Sequence, residues 1–182
     1  VYAKLEGHNP GGSIKDRAIT SIVFSMLRGM NTDTDTPQTL CLTTSGRAGV
    51  TMAEIFKHLV TPKINAVICV PARYANKEAP MLLRQNPEVG IVSSFDDLAK
   101  STYGCNAVFL DGDFLDVLSQ AKTECQANNW HVVDQHFDSS STDPHQQTVR
   151  EILQQCPGVT DVVCAVGTGA TAAGLRKYLP QS

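Results

Sequence analysis

The chain has 182 residues, of which 42% are hydrophobic and 18% are charged, and its formal net charge at pH 7 is -3. This balance is typical of a globular protein with a buried core, and it excludes the basic surface that nucleic acids or anionic membranes require. No apolar run approaches the ~20 residues of a membrane span, and the first residues are typical of a strand rather than a signal peptide. We therefore expect a cytoplasmic protein that acts on small molecules.

Strand-like apolar runs alternate with helical patterns along the whole chain. Apolar residues recur at helical spacing from Ala18 to Leu27 and from Phe114 to Cys125, and we expect both stripes to face the core. The strand-like runs are residues 1–5, 40–43, 64–70, 89–93, 107–110, 131–133 and 162–166. Such alternation predicts an α/β protein with mostly parallel strands.

Residues 9–17, Asn-Pro-Gly-Gly-Ser-Ile-Lys-Asp-Arg, set a lysine behind a glycine-rich turn. Ser13 and Asp16 form a helix-start signature, which places Lys15 in the first helical turn. The positive end of the helix dipole disfavours an ammonium group there, so we expect a lowered pKa and an amine that reacts with carbonyl groups. The alternative is an ordinary solvated lysine.

Two further turns link strand-like runs to helices. Residues 43–49, Thr-Thr-Ser-Gly-Arg-Ala-Gly, combine hydroxyls with backbone amides and can bind an anion. Residues 166–171, Val-Gly-Thr-Gly-Ala-Thr, open another helix in the manner of a phosphate cradle. The alternative for each is a plain turn at the start of a helix.

The cysteines and histidines give no sign of a metal site. The six cysteines are scattered without a C-x-x-C pair, and the five histidines lack ligand spacing. We expect buried free thiols and no bound metal.

In this order and spacing, the three turns resemble those of the fold-type-II pyridoxal-phosphate enzymes, above all cysteine synthase and cystathionine β-synthase. The resemblance also includes Lys-Leu-Glu at 4–6, Val-Pro at 70–71, Asp-Gln-His at 134–136 and Glu-Ile-Leu-Gln-Gln-Cys at 151–156. The last segment is nearest to the cystathionine β-synthase branch. Three chemically different turns in the order of one family form a strong signal.

The resemblance implies pyridoxal 5′-phosphate as cofactor and a fold like that of the tryptophan synthase β-subunit. That fold has two three-layer α/β/α lobes with mostly parallel sheets. Residues 10–119 would form the small lobe, with the lysine and the substrate-carboxylate loop. Residues 1–9 and 120–182 would form part of the large lobe, which carries the phosphate loop and is incomplete here, as in a fragment of a longer protein.

The resemblance also implies roles for individual residues. Lys15 would be the catalytic lysine that holds the cofactor as a Schiff base. The cofactor would contact Lys15, Arg47, Gly167, Thr168, Gly169, Ala170 and Thr171. The substrate would contact Thr44, Ser45, Gly46, Ala48 and Gln135. The implied partners are a small amino acid and a thiol or another nucleophile, together with a second copy of the chain in a homodimer if the protein is full length.

Four positions depart from the family pattern. Arg47 and Ala48 stand where the family has Asn and Thr, Ala170 replaces a glycine, and His136 replaces an aromatic residue. Arg47 is larger than Asn and permanently charged. It either pairs with the cofactor's phenolic oxygen or the substrate carboxylate, fills the substrate space, or faces solvent.

The function implied is β-elimination and β-replacement on a serine-type amino acid, as in sulfur amino-acid metabolism. One alternative is a catalytically degenerate relative or a fragment that acts as a binding module, which would explain Arg47 and Ala48. A further alternative is a serine or threonine dehydratase, whose motifs fit the first two turns less well.

Overall fold

Five parallel strands form the sheet on which the candidate site is built. The computed structural model describes residues 1–30, 36–59, 63–136 and 138–180. Within these ranges the strands run in the spatial order β3-β4-β2-β1-β5, and every pairing is parallel. Their bounds are β1 Gln38–Thr43, β2 Ile64–Pro71, β3 Gly90–Val92, β4 Cys105–Leu110 and β5 His131–Val132. The predicted α/β class with parallel strands is confirmed.

Helices connect these strands and flank the sheet. Their bounds are α1 Lys15–Gly29, α2 Arg47–His58, α3 Ala75–Gln85, α4 Phe114–Asn128, α5 His145–Gln155 and α6 Ala170–Tyr178. Over the described ranges, none of them combines the length and the apolar character needed to cross a bilayer.

The strands bury both of their faces, which gives the chain three layers. Leu40 and Leu42 of β1 pack in one cluster with side chains of α1, α2 and α3. Cys41, between them, packs on the opposite face with Val117 of α4. Because successive side chains of a strand point to opposite faces, one continuous apolar run supplies both clusters. The cysteines are free, and four of them, Cys41, Cys69, Cys105 and Cys125, are buried.

Two predicted strands are wrong. Residues 1–5 and 162–166 have the apolar pattern of strands, yet they pair with no strand in the described part of the chain. Val163 is 95% exposed and Val166 is 71% exposed. A strand is stabilised by hydrogen bonds to a neighbouring strand, which these segments lack, and an apolar pattern alone does not provide them.

The division into two lobes stays a prediction. Its boundary at residue 119 falls within α4. β5, which the prediction assigns to the large lobe, pairs with β1 of the predicted small lobe. The described strands thus form one continuous sheet.

Candidate active site

The glycine turn places Lys15 as the first residue of α1. The Gly12 N–H donates to the carbonyl of Asn9 at 2.8 Å, and Gly12 has a positive φ of 78°. The Ser13 hydroxyl accepts the Lys15 N–H at 3.1 Å. Glycine adopts a positive φ without the strain that a Cβ adds, so this tight turn depends on Gly12. The predicted first-turn position of Lys15 is confirmed.

Asp16 ties the turn to α2. Its carboxylate accepts the Gly11 N–H at 3.0 Å and the Ser13 N–H at 3.4 Å. It also accepts the Thr51 hydroxyl of α2 at 2.5 Å. Asp16 is buried, and a Cβ on Gly11 would collide with its carboxylate. The lysine turn and the start of α2 are therefore held together by one buried acid.

A network of charged side chains joins α1 to α5. Arg17 donates to Glu6 through Nε and Nη2 at 2.8 and 2.9 Å, and to Glu151 through Nη1 and Nη2 at 3.2 and 2.6 Å. Lys4 pairs with Glu151 at 2.6 Å. The hydrogen bonds from Arg17 lower the pKa of Glu151 to about 2. Arg17 follows Lys15 by two residues, so this network fixes the start of α1 relative to α5.

α6 packs closely against α5. A Cβ on Gly174 would lie 2.5 Å from the Cβ of His145 and 2.7 Å from the carbonyl oxygen of Thr142. Gly169, the N-cap of α6, has a positive φ of 90°. Ala170 is the first helical residue, and it has no positive φ and is buried. Ala170 thus has an ordinary helical conformation, which an alanine adopts without strain where the family has glycine.

These contacts bring the glycine loop, residues 166–171, next to Lys15. The Lys15 amine donates to the Thr168 hydroxyl at 3.3 Å, although the two residues are 153 positions apart. Burial lowers the pKa of the Lys15 amine, because an ammonium group loses hydration there. This direction agrees with the lowered pKa expected from the sequence, and burial is its cause in the structure. A less basic amine is a better nucleophile toward carbonyl carbon near neutral pH.

A cavity of about 320 Å³ lies between the three turns. It is at the carboxyl edge of the sheet, where α2 and α4 begin after β1 and β4. Ligands bind at this edge in open α/β sheets. The lining consists of Lys15, Thr44, Ser45, Gly46, Arg47, Ala48, Phe114, Gln135, His136, Gly167 and Thr168.

The cavity gathers most of the predicted site residues. Each of the five predicted substrate contacts lines it, as do Lys15, Arg47, Gly167 and Thr168. Gly169, Ala170 and Thr171 do not line it; they form the N-cap and first turn of α6, directly after Thr168.

The substrate loop, residues 43–49, combines hydroxyls, backbone amides and the start of α2. The Gly46 N–H donates to the Thr44 hydroxyl at 3.1 Å, and Gly46 is the N-cap of α2. The Gln135 amide donates to the carbonyl of Thr43 at 3.4 Å. Gln135 is buried, and its Oε1 has no hydrogen-bond partner in the described part of the chain. A buried acceptor without a partner is costly, so it is suited to a donor on a bound molecule.

Arg47 and Ala48 occupy different environments. Ala48 is buried, whereas the Arg47 side chain is exposed at the rim of the cavity. A Cβ on Gly12 would lie 3.4 Å from Nη1 of Arg47, so the guanidinium lies over the lysine turn. Arg47 therefore lines the cavity from an exposed position beside the lysine turn.

Phe114 is the site residue that sequence reasoning missed, and its assignment to the core is wrong. Its ring lies 5.8 Å from that of His136, centroid to centroid, and both line the cavity. Leu115, on the same predicted stripe, is 69% exposed. The first turn of α4 extends beyond the edge of β4, so its apolar side chains have no sheet to cover. The signal in the sequence was the position of Phe114 at the start of a helix, directly after the N-cap Asp113 and shortly after the end of β4.

The arrangement supplies a nucleophilic amine and donors for two anions. The start of α6, directly after Thr168, has N–H groups without acceptors inside the helix, and so has the start of α2, directly after Gly46. A molecule with a carbonyl and a phosphate, next to a second molecule with a carboxylate, matches these groups.

Comparison with known proteins gives a consistent result. Residues 1–181 match the profile of the family described as pyridoxal-phosphate dependent enzyme. Cystathionine beta-synthase of Saccharomyces cerevisiae is 28% identical over 188 aligned positions, which cover 100% of this chain and 34% of that protein. Cysteine synthase B of Pseudomonas aeruginosa is 27% identical, and the match covers 100% of this chain and 54% of that protein. The chain thus spans about a third to a half of the length of these relatives.

Solved structures share the fold. The O-acetylserine dependent cystathionine beta-synthase from Helicobacter pylori superposes with a TM-score of 0.73 at 19% identity, covering 97% of this chain and 52% of that one. O-ureido-L-serine synthase superposes with a TM-score of 0.70 at 21% identity, covering 96% of this chain and 51% of that one.

Proposed function

Because the chain belongs to the pyridoxal-phosphate dependent enzyme family, we propose that it catalyses β-elimination and β-replacement on a serine-type amino acid. The observation that carries the proposal is the 3.3 Å contact between the Lys15 amine and the Thr168 hydroxyl of the glycine loop. It lies in a cavity that the substrate loop also lines. The names of the relatives, cystathionine beta-synthase and cysteine synthase, support this reaction type.

The residues of the site fit pyridoxal phosphate. A Cβ built on Gly167 or Gly169 meets no atom within 4 Å, so the loop leaves open space beside its backbone. The start of α6 offers N–H donors for a phosphate, and the Thr168 hydroxyl adds another. The Lys15 amine, with its lowered pKa, provides the covalent attachment. Small-molecule sites begin at about 300 Å³, and this cavity reaches that size.

When bound, pyridoxal phosphate supplies an electron sink for negative charge at the substrate Cα. The protein supplies position and proton transfer. Thr44, Ser45 and Gly46 bind the substrate carboxylate. Their hydroxyl and backbone N–H donors are uncharged, so this anion can be bound without a positively charged side chain. The Lys15 Nζ accepts the Cα proton, and burial, which lowers the pKa of this amine, favours the neutral form that can accept it.

Two rings form one side of the cavity. The Phe114 and His136 rings pack against each other there, with their centroids 5.8 Å apart. The Phe114 ring therefore offers the bound molecules an apolar surface beside the polar donors of the three turns.

The test is Lys15→Ala, compared with Lys57→Ala in an exposed last-turn position of α2. Each purified variant is mixed with pyridoxal phosphate, O-acetyl-L-serine and a thiol, and visible absorption and products are recorded. We expect Lys15→Ala to lose the absorption of the attached cofactor and the product, while its unfolding free energy changes by less than about 1 kcal/mol. Lys57→Ala should match the parent.

The products distinguish the proposed reaction from the two alternative functions. A thioether or cysteine supports β-replacement, and a keto acid indicates a dehydratase. Cofactor absorption without any product indicates a binding relative. If Lys15→Ala keeps both the absorption and the product, the assignment of Lys15 is wrong.

A further inference from the structure

Arg47 lies at the rim of the cavity, and its guanidinium reaches over the lysine turn. Arg47 is the first residue of α2 and follows the substrate loop directly. Its Nη1 lies 3.4 Å from the position that a Cβ on Gly12 would take. Gly12 has no side chain, which leaves room for the guanidinium over the lysine turn. One cation therefore lies beside both the loop for the substrate carboxylate and the loop that carries Lys15.

In the described part of the chain, no acid lies within ion-pair distance of the Arg47 guanidinium, and no hydrogen-bond partner is found for it. The eleven residues that line the cavity include Lys15 and Arg47 but no carboxylate. The buried carboxylate of Glu78 lies outside this lining but feels the charge of Arg47, and its Oε1 is 3.9 Å from the position that a Cβ on Gly46 would take. Glu78 therefore offsets part of the positive charge, and Lys15 and Arg47 are the two cations that line the cavity.

The anions required by the proposed function already have their donors. The start of α6 and Thr168 serve the cofactor phosphate, and the hydroxyl loop with the start of α2 serves the substrate carboxylate. Lys15 forms the covalent attachment. The permanent positive charge of Arg47 remains for a third anion, and a guanidinium matches a phosphate through two parallel N–H bonds.

Resting on the proposed function, we propose that Arg47 selects amino-acid substrates whose β-substituent is itself anionic, such as a phosphate ester. With O-phospho-L-serine, the Cβ–O bond breaks and its electron pair leaves on the phosphate oxygen. The thiol sulfur then forms the new Cβ–S bond, the thiol proton passes to the departing phosphate, and Lys15 returns its proton to Cα. The products are a thioether and inorganic phosphate, with no change of oxidation state.

The experiment compares the parent with Arg47→Gln and Arg47→Lys, loaded with cofactor. Arg28→Gln, which removes an exposed arginine in the last turn of α1, is the matched control. The kcat/KM values for O-phospho-L-serine and O-acetyl-L-serine are measured with one thiol. We expect the ratio of the two values, phosphate over acetate, to fall by about tenfold to a hundredfold in Arg47→Gln. Arg47→Lys should lie between Arg47→Gln and the parent, and Arg28→Gln should keep the parent ratio.

Binding calorimetry with O-phospho-L-serine gives a second measurement that does not depend on turnover. The proposal predicts weaker binding to Arg47→Gln by a similar factor. If neither substrate is converted by the parent, the proposed reaction fails, and calorimetry still decides whether Arg47 binds the phosphate ester.

Three results would overturn the proposal. The first is a parent that prefers O-acetyl-L-serine. The second is an Arg47→Gln variant with the parent ratio and the parent affinity, which would mean that Arg47 faces solvent only. The third is a shift of the cofactor absorption in Arg47→Gln without ligand, with equal losses for both substrates. That result would place the guanidinium on the cofactor's phenolic oxygen instead.

Discussion

Replacing Glu151 with Gln should destabilise the fold in a way that depends on pH. Glu151 accepts two hydrogen bonds from Arg17, at 3.2 and 2.6 Å, and pairs with Lys4 at 2.6 Å. Glutamine keeps the size of the side chain but removes the charge. The contact between α1 and α5 then loses its strongest electrostatic component.

The magnitude follows from the pKa of Glu151. The hydrogen bonds from Arg17 lower it from 4.5 to about 2. At about 1.4 kcal/mol for each pKa unit, the upper bound is about 3–4 kcal/mol. The Glu151 side chain is 23% exposed, so screening by solvent reduces this value. We expect Glu151→Gln to lower the unfolding free energy by about 1–2 kcal/mol at neutral pH.

The pH dependence has a definite sign. The folded-state pKa of Glu151 lies below the unfolded one, so the carboxylate stabilises the fold fully above pH 4.5. This contribution is lost as the pH falls from 4.5 toward 2, because the folded state then binds the proton as well. Glu6 also has a lowered pKa, since the hydrogen bonds from Arg17 and Asn9 outweigh the effect of burial. Glu6 shares Arg17 and Lys4 with Glu151, so the difference between parent and variant reports the loss of Glu151 from this shared network.

The assay is urea unfolding of both proteins, followed by circular dichroism at pH values stepped from neutral down to about 3. Glu88→Gln is the control, since Glu88 is exposed and has no hydrogen bond or ion pair within the described ranges. The stabilising role of Glu151 is refuted if parent and Glu151→Gln have equal unfolding free energies at neutral pH, or if their difference increases as the pH falls.

Two glycine substitutions test the glycine loop and the helix pair that positions it. Gly169→Val should weaken cofactor binding at least tenfold in a fluorescence titration, because valine at a φ of 90° is strained; affinity equal to the parent would contradict the phosphate cradle. Gly174→Ala should lower the unfolding free energy by about 1–3 kcal/mol, because its Cβ would lie 2.5 Å from that of His145. Gly29→Ala, in a helical position with open space, should instead be neutral or stabilising, and equal effects at both sites would count against the close packing of α5 and α6.

The strands of the sheet and the turns that line the cavity could be predicted largely from local sequence patterns. The apolar runs at 40–43, 64–70 and 107–110 lie within β1, β2 and β4, because a buried parallel strand needs an unbroken apolar run. The three turns were found because glycine and hydroxyl residues at a helix start have a local signature. The cavity then joins them at one edge of the sheet.

The features that could not be predicted from the sequence depend on contacts between residues that are far apart along the chain. Residues 162–166 have the composition of a strand, but pairing is not encoded in the segment itself. The bond between Arg17 and Glu151 joins residues 134 positions apart, and no local pattern identifies it. The orientation of Arg47 was left open for the same reason, since the neighbouring Gly12 belongs to another turn.

The contact between Lys15 and Thr168 also bears on the order of events in folding. The five strands lie between residues 38 and 132, whereas the two halves of the cofactor site come from residues 15 and 168, on either side of them. Closing a chain segment of 153 residues costs more entropy than pairing strands close in sequence, so this closure is expected late. Capture of the cofactor during refolding would then report the docking of the two chain segments, and added cofactor would not accelerate formation of the sheet.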